Sequence, residues 1–244
     1  SSMNNPMSVP LRSLSLAAVG SIPLILPALH AAEAAPPVAQ VTVPAHVPVA
    51  DSADSWTLDN GIVKATVLKR SGKMTSLVFR GQETLTRNSE SWEQLAAGTV
   101  TPALTIDPAT NGGERAEVAV KGVTGRMDIE LRYTLERGVS GFYTYAIYSH
   151  GASYPAAGEG ESRFINQLGS NFDWLSVDAD RNMPMCSNAD TRAGVVIHAK
   201  EQRILSTGIY KNSVEHKYSY CAEMYKLPAY GWSSINDHVG IWFI

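Results

Sequence analysis

Residues 127–148 read MDIELRYTLERGVSGFYTYAIY, and this stretch decides the fold class. Met127, Ile129, Leu131, Tyr133 and Leu135 alternate with Asp128, Glu130, Arg132, Thr134 and Glu136. A period of two sends the two sets to opposite faces of a strand, one face buried and one wet. Arg137, Gly138, Val139, Ser140 and Gly141 then supply turn chemistry ahead of residues 142–148, a run rich in β-branched and aromatic side chains. The pattern predicts a β-hairpin. Working outward, residues 62–68, 75–79, 117–123, 173–177, 195–199 and 239–244 carry strand composition, and 91–97 is the single weak helical window. Many short strands between Gly-, Asn- and Asp-rich turns predict an all-β fold, an antiparallel β-sandwich.

The chain has 244 residues, 44% hydrophobic and 18% charged, enough for one substantial core or two small ones. Twenty Lys and Arg against 23 Asp and Glu give a formal charge of −3, so no overall basic field exists to collect nucleic acid or an anionic membrane. Cys186 and Cys221 are too few for a disulfide scaffold, and neither sits in a CxxC or Cys/His metal spacing. A single bridge between them is left open, and no metal ligands are assigned.

The amino terminus reads as an address. From Met7 the chain runs MSVPLRSLSLAAVGSIPLILPALHAAEA, with Arg12 ahead of the apolar run 14–26 and small residues at 28–32. Those features predict a secretory signal peptide over 1–32 and a secreted protein, extracellular or periplasmic. The run is short for a membrane span and is interrupted by Pro23. Residues 33–52, rich in Ala, Val and Pro without periodicity, read as a linker, and 53–244 as the main domain. The chain stops inside the apolar run 239–244, so the sandwich is expected to be incomplete at its carboxyl end.

No GxSxG elbow, HExxH, P-loop or dinucleotide glycine fingerprint is present. Two polar clusters stand out instead. Residues 215–220 read EHKYSY; in a strand, Glu215, Lys217 and Ser219 face one way and His216, Tyr218 and Tyr220 the other. Aromatic faces beside cationic heads suit sugar rings that carry carboxylates. Residues 159–164 read EGESRF, where Arg163 can grip a carboxylate with two parallel hydrogen bonds. Each residue also has a plainer role: Lys217 as a solvated lysine, Arg163 as an ion-paired one, His216 as a neutral hydrogen-bonded ring. Residues 178–182, DADRN, lack the full ligand spacing of a calcium loop and read as a turn with a local ion pair.

Five stretches, in order, resemble the rhamnogalacturonan lyases, family four of the polysaccharide lyases. They are RGVSGFYTYAIYSH from Arg137, GESRF from Gly160, FDWLSVDADRN from Phe172, TGIYKNSVEHKYSY from Thr207 and PAYGWSSINDHVGIWFI from Pro228. The resemblance implies a galactose-mutarotase-like β-sandwich and β-elimination at the rhamnose–galacturonate bond of the pectin backbone. That reaction removes the C5 proton of a galacturonate, so it needs a base, a cation beside the adjacent carboxylate and an acid for the leaving O4. By resemblance, Lys217 is the base and Arg163 holds the substrate carboxylate, with His216, Tyr218 and Tyr220 in the substrate-binding cluster. A free lysine titrates near pH 10.4, so desolvation or neighbouring cations must depress Lys217 for it to accept a proton near neutrality.

Gln167 stands where some members carry a second arginine, and the family's acid histidine lies in a segment after the last matching stretch; none of His150, His198, His216 or His238 matches it. The elimination requires no cofactor, and a structural calcium ion is compatible with it. The expected partner is rhamnogalacturonan I, acted on by a monomer without nucleic acid or a membrane span. Two alternatives remain: a non-catalytic carbohydrate-binding sandwich, or an inactive fragment of a lyase that lacks the acid, and a mutarotase-like activity that would need a His and carboxylate pair at a ring oxygen.

Overall fold

The computed structural model describes residues 46–158, 160, 162–179, 181–197, 203–215 and 227–244, with the side chains of 87–91 and 215 outside the description. Strands β1 (Val49–Asp51), β2 (Ser55–Asp59), β3 (Val63–Leu68), β4 (Met74–Phe79), β5 (Gln82–Glu83) and β6 (Leu85–Trp92) form an antiparallel sheet in the order β1-β2-β3-β4-β6, with β5 against β4. Burial follows the pleat: Trp56 and Leu58 on β2 and Val63, Ala65 and Val67 on β3 all turn inward.

The second sheet holds β7 (Thr99–Ile106), β8 (Arg115–Val123), β9 (Asp128–Glu136) and β10 (Phe142–Ser149), in the order β10-β9-β8-β7. The hairpin expected from 127–148 is present, with Phe142 opposite Leu135 and Tyr145 opposite Arg132. Ala116, Val118 and Val120 from β8 join Leu131, Tyr133 and Leu135 from β9 in one core shared with the first sheet. The protein is thus an all-β sandwich, as the periodicity predicts.

Two polar contacts fix the sheets against each other. In the β3–β4 turn, Gly72 has φ +72°, and a Cβ there would lie 2.9 Å from Leu131 Cδ1, so only glycine fits. Its carbonyl accepts the Tyr133 hydroxyl at 2.7 Å. Asn60, fully buried in the β2–β3 turn, donates through Nδ2 to the carbonyls of Glu136 and Val139 at 2.7 and 2.8 Å. Its Oδ1 accepts the amides of Ile62 and Val63. One side chain therefore closes a turn in each sheet.

The wet face of the hairpin departs from expectation. Tyr143, Tyr145 and Ile147 are exposed, but Glu117 and Thr134 are almost fully buried. The cause is a polar network over the sheet. Glu117 Oε1 accepts from Thr105 Oγ1 at 2.8 Å and Arg132 at 3.0 Å; Oε2 accepts from Thr134 at 2.7 Å and the Tyr145 hydroxyl at 3.2 Å. Burial works to raise the Glu117 pKa, but the bonds from Thr134 and Thr105, the Arg132 charge and the Tyr145 bond outweigh it, and the carboxyl lies below its ordinary value.

Strand β11 (Phe164–Leu168) returns to the first sheet and pairs with β6. A third sheet follows, of β12 (Trp174–Ser176), β13 (Asn182–Pro184) and two later strands. Between them come helix α1 (Asn188–Ala193) and a small three-stranded ribbon of β14 (Val195–Val196), β15 (Arg203–Ile204) and β16 (Val214–Glu215). Strands β17 (Tyr230–Ser234) and β18 (Val239–Phe243) complete the third sheet in the order β13-β12-β17-β18. Among the described residues, no helix is long and apolar enough to cross a membrane.

Two local expectations change. The 91–97 window is not helical: Trp92 ends β6 opposite Phe164, Glu93 N–H donates to the Arg163 carbonyl at 2.8 Å and Ala96 N–H to the Ser71 carbonyl at 3.0 Å. Tertiary partners take the backbone groups a helix would need. The sheet also begins before residue 53, because Val47 is fully buried and β1 pairs with β2.

Removing the Asn60 amide strands buried turn groups in both sheets, so Asn60→Ala is expected to lower stability by about 3 kcal/mol in urea unfolding. Glu117, with its pKa depressed in the fold, contributes stability that is fully present above the ordinary carboxylate value of 4.5 and is lost as pH falls below it. Acid titration of stability should therefore be shallower for Glu117→Gln than for the natural chain.

Candidate substrate site

The site is built where β11 meets the other two sheets. Phe164 packs edge-on against Trp92 on β6 at 5.5 Å, Phe142 on β10 at 6.4 Å and Phe243 on β18 at 6.1 Å between ring centroids. Phe243 in turn stacks on Tyr230 at 5.3 Å and meets Trp232 edge-on at 6.3 Å. The Trp92 indole N–H donates to Thr144 Oγ1 at 2.9 Å. Burial holds the Tyr230 phenol above its ordinary pKa, so it stays neutral in this cluster.

Arg163, the residue before β11, is held by this cluster through its neighbour. Its Nε lies 3.4 Å from Glu93 Oε2, and its carbonyl accepts the Glu93 backbone N–H, so the two residues are tied by backbone and charge. Beside them the Tyr148 hydroxyl lies 2.7 Å from Ser162 Oγ and donates to Gln94 Oε1 at 3.2 Å. The guanidinium is partly exposed. A substrate carboxylate arriving here competes with Glu93 for a planar donor that binds carboxylates in pairs of hydrogen bonds.

A cavity of about 630 Å³ opens farther along β11, bounded by the segments that flank β12, the start of α1 and β17. Leu168, Phe172, Met185 and Trp232 give it apolar walls, Ser170, Asp173, Ser187 and Asn188 supply polar groups, and Asn166 lies in the wall. Asp173 Oδ1 accepts the Ile235 N–H at 3.2 Å. The amide Nδ2 and Oδ1 of Asn166 are both shielded from solvent, and neither has a hydrogen-bond partner among the described residues.

Of the residues singled out in the sequence, Arg163 is placed at this junction, in the ion pair that was its plainer role. His216, Lys217, Tyr218 and Tyr220 lie outside the described residues, as does Cys221. Cys186 is a free thiol, with Sγ 3.4 Å from Thr191 Oγ1. In the 178–182 segment the local ion pair is present: Arg181 N–H donates to Asp178 Oδ1 at 2.8 Å and the guanidinium pairs with the same carboxylate, while Asn182 begins β13 and Asp180 lies outside the described residues. Gln167 is exposed, and its carbonyl accepts the Thr86 hydroxyl. Among the described residues, no three His, Cys, Asp or Glu side chains gather where a metal ion could sit.

Sequence reading missed Glu93 and Asn166. Glu93 is distant in the chain and meets Arg163 only through the β6–β11 pairing. Asn166 left a faint signal, as a polar residue inside the otherwise apolar start of FINQL.

Residues 114–211 match the model of the rhamnogalacturonate lyase family. The match runs from the start of β8 past β15 and includes Arg163, Asn166 and Cys186. A search of curated proteins finds no match.

Because Phe164 touches rings from both other sheets, Phe164→Ala is expected to lower stability by about 3 kcal/mol, measured by calorimetry or urea unfolding. Phe164→Leu, which keeps most of the apolar volume, should recover more than half of that loss.

Proposed function

We propose that the protein is an exported lyase that cleaves the backbone of rhamnogalacturonan I at the rhamnose–galacturonate bond by β-elimination. The observation that carries this reading is the family match over 114–211, inside which Arg163 stands at a rigid three-sheet junction with its guanidinium partly exposed. In this mechanism Arg163 takes the galacturonate carboxylate in exchange for Glu93. That contact gains strength as C5 loses its proton and charge moves onto the carboxylate, so it favours the transition state over bound substrate.

Lys217 abstracts the C5 proton in its neutral form. Electrons from the broken C5–H bond form the C4=C5 double bond, and the C4–O bond breaks, with O4 leaving on the neighbouring sugar. His216, Tyr218 and Tyr220 hold the sugar rings around the base. The proton gained by Lys217 returns to solvent, and a proton donor completes the leaving alcohol.

The test is ultraviolet absorbance of the unsaturated uronate during incubation with rhamnogalacturonan I. The natural chain should form product at a rate that rises with pH as Lys217 loses its proton. Lys217→Ala should lose roughly 100-fold or more in kcat, and Arg163→Ala should lower kcat/KM by about 100-fold. Saturable polymer binding without any gain in absorbance would replace the lyase reading with a carbohydrate-binding one.

A further inference from the structure

We propose that the cavity beside β11 is a subsite for an uncharged, hydroxyl-rich pyranose ring, with Asn166 as its hydrogen-bonding group. The proposal rests on the lyase reading and deepens it. Two asparagines with buried amide atoms among the described residues behave in opposite ways. Asn60 has all its amide atoms engaged, as a structural amide should. Asn166 has neither donor nor acceptor satisfied. An unpaired buried amide is destabilising, and leucine would fill the same space without that cost. The amide is therefore unexplained by packing but suited to a ligand that brings both a donor and an acceptor.

Two adjacent hydroxyls of a pyranose are such a pair: one accepts from Nδ2 while the other donates to Oδ1. Both amide atoms now lie beneath the surface of the cavity wall. No hydrogen bond restrains them, so turning the amide about its Cβ–Cγ bond toward the cavity breaks no bond. Asp173 adds a second acceptor for hydroxyls, and Phe172 and Trp232 offer apolar faces to the ring's C–H groups.

Charge decides which sugar fits. Asp173 is the one Asp or Glu on the cavity wall, and no Lys or Arg lines it among the described residues. A ring bearing a carboxylate meets repulsion there, whereas Arg163 attracts it. Arg163 and Asn166 are three residues apart on an extended strand, a spacing that turns their side chains to opposite faces, so the cavity is a site apart from the arginine. The cavity's charge favours a neutral ring such as rhamnose over a uronate.

The experiment titrates the full chain with methyl α-L-rhamnopyranoside, following tryptophan fluorescence and the alkylation rate of Cys186, which lines the same cavity, by peptide mass spectrometry. A saturable fluorescence change is expected, with Cys186 alkylation slowed several-fold at saturation. Methyl α-D-galacturonopyranoside should require about 10-fold higher concentration to protect Cys186. Asn166→Leu should weaken rhamnoside binding by about 10-fold with an equal or higher Tm. Unchanged binding in that variant, or a lowered Tm, overturns the role of Asn166. Absence of Cys186 protection in the natural chain overturns the subsite without recourse to any variant. The two readings fail separately: lost protection with intact product absorbance removes the subsite alone, and protection without absorbance supports the subsite and removes the lyase activity.

Discussion

Three sheets meet on one ring. Phe164 belongs to the first sheet by hydrogen bonding, yet its ring lies between Phe142 of the second and Phe243 of the third. Aromatic pairs of this kind prefer edge-to-face geometry, so each contact restricts tilt as well as distance. Among the described residues β11 is an edge strand, joined on one side only, by β6. Such a strand would be free to fray without a second anchor. The aromatic junction supplies that anchor, and both polar features of the site, Arg163 and Asn166, lie within two residues of it. Packing at Phe164 thus sets the positions from which chemistry is done.

Two kinds of polar group border this junction, and their states differ for physical reasons. Arg163 sits near solvent with a carboxylate partner that can be exchanged, because a partly exposed ion pair is held weakly. The Asn166 amide atoms are shielded from solvent and have no partner to exchange among the described residues. The first arrangement tolerates competition by an incoming anion. The second rewards a neutral molecule that carries its own donors and acceptors. β11 thus presents a group suited to charge on one face and a group suited to hydroxyls on the other.

The periodicity of residues 127–148 revealed the hairpin because its inner face packs on a single core, so local pattern and tertiary burial coincide. Where they diverged, the reading failed. Trp92 looked helical in its window, but its ring is used by Phe164 and its strand by β11. The Ala-, Val- and Pro-rich lead-in concealed β1 because that strand is defined by register with β2, Val49 opposite Leu58, and three residues carry little pattern of their own. Arg163 was legible as a carboxylate ligand from its residue type. Its competitor Glu93 was not, since only the fold brings the two together. The state of Asn166 is invisible in any one-dimensional reading, because the absence of a hydrogen bond is a property of the surroundings.

The Glu117 network on the outer face of the second sheet has one more consequence. Its carboxylate gathers side chains from β7, β9 and β10, so it senses the alignment of all four strands at once. Sliding β8 by a single residue would turn Glu117 toward the space now filled by Val118 and Ala116. A carboxylate there would be desolvated with no donors, a state far costlier than a misplaced apolar group. The network therefore penalises a shifted register of β8 more steeply than the apolar core alone would, so a single polar residue helps to single out one alignment of the sheet.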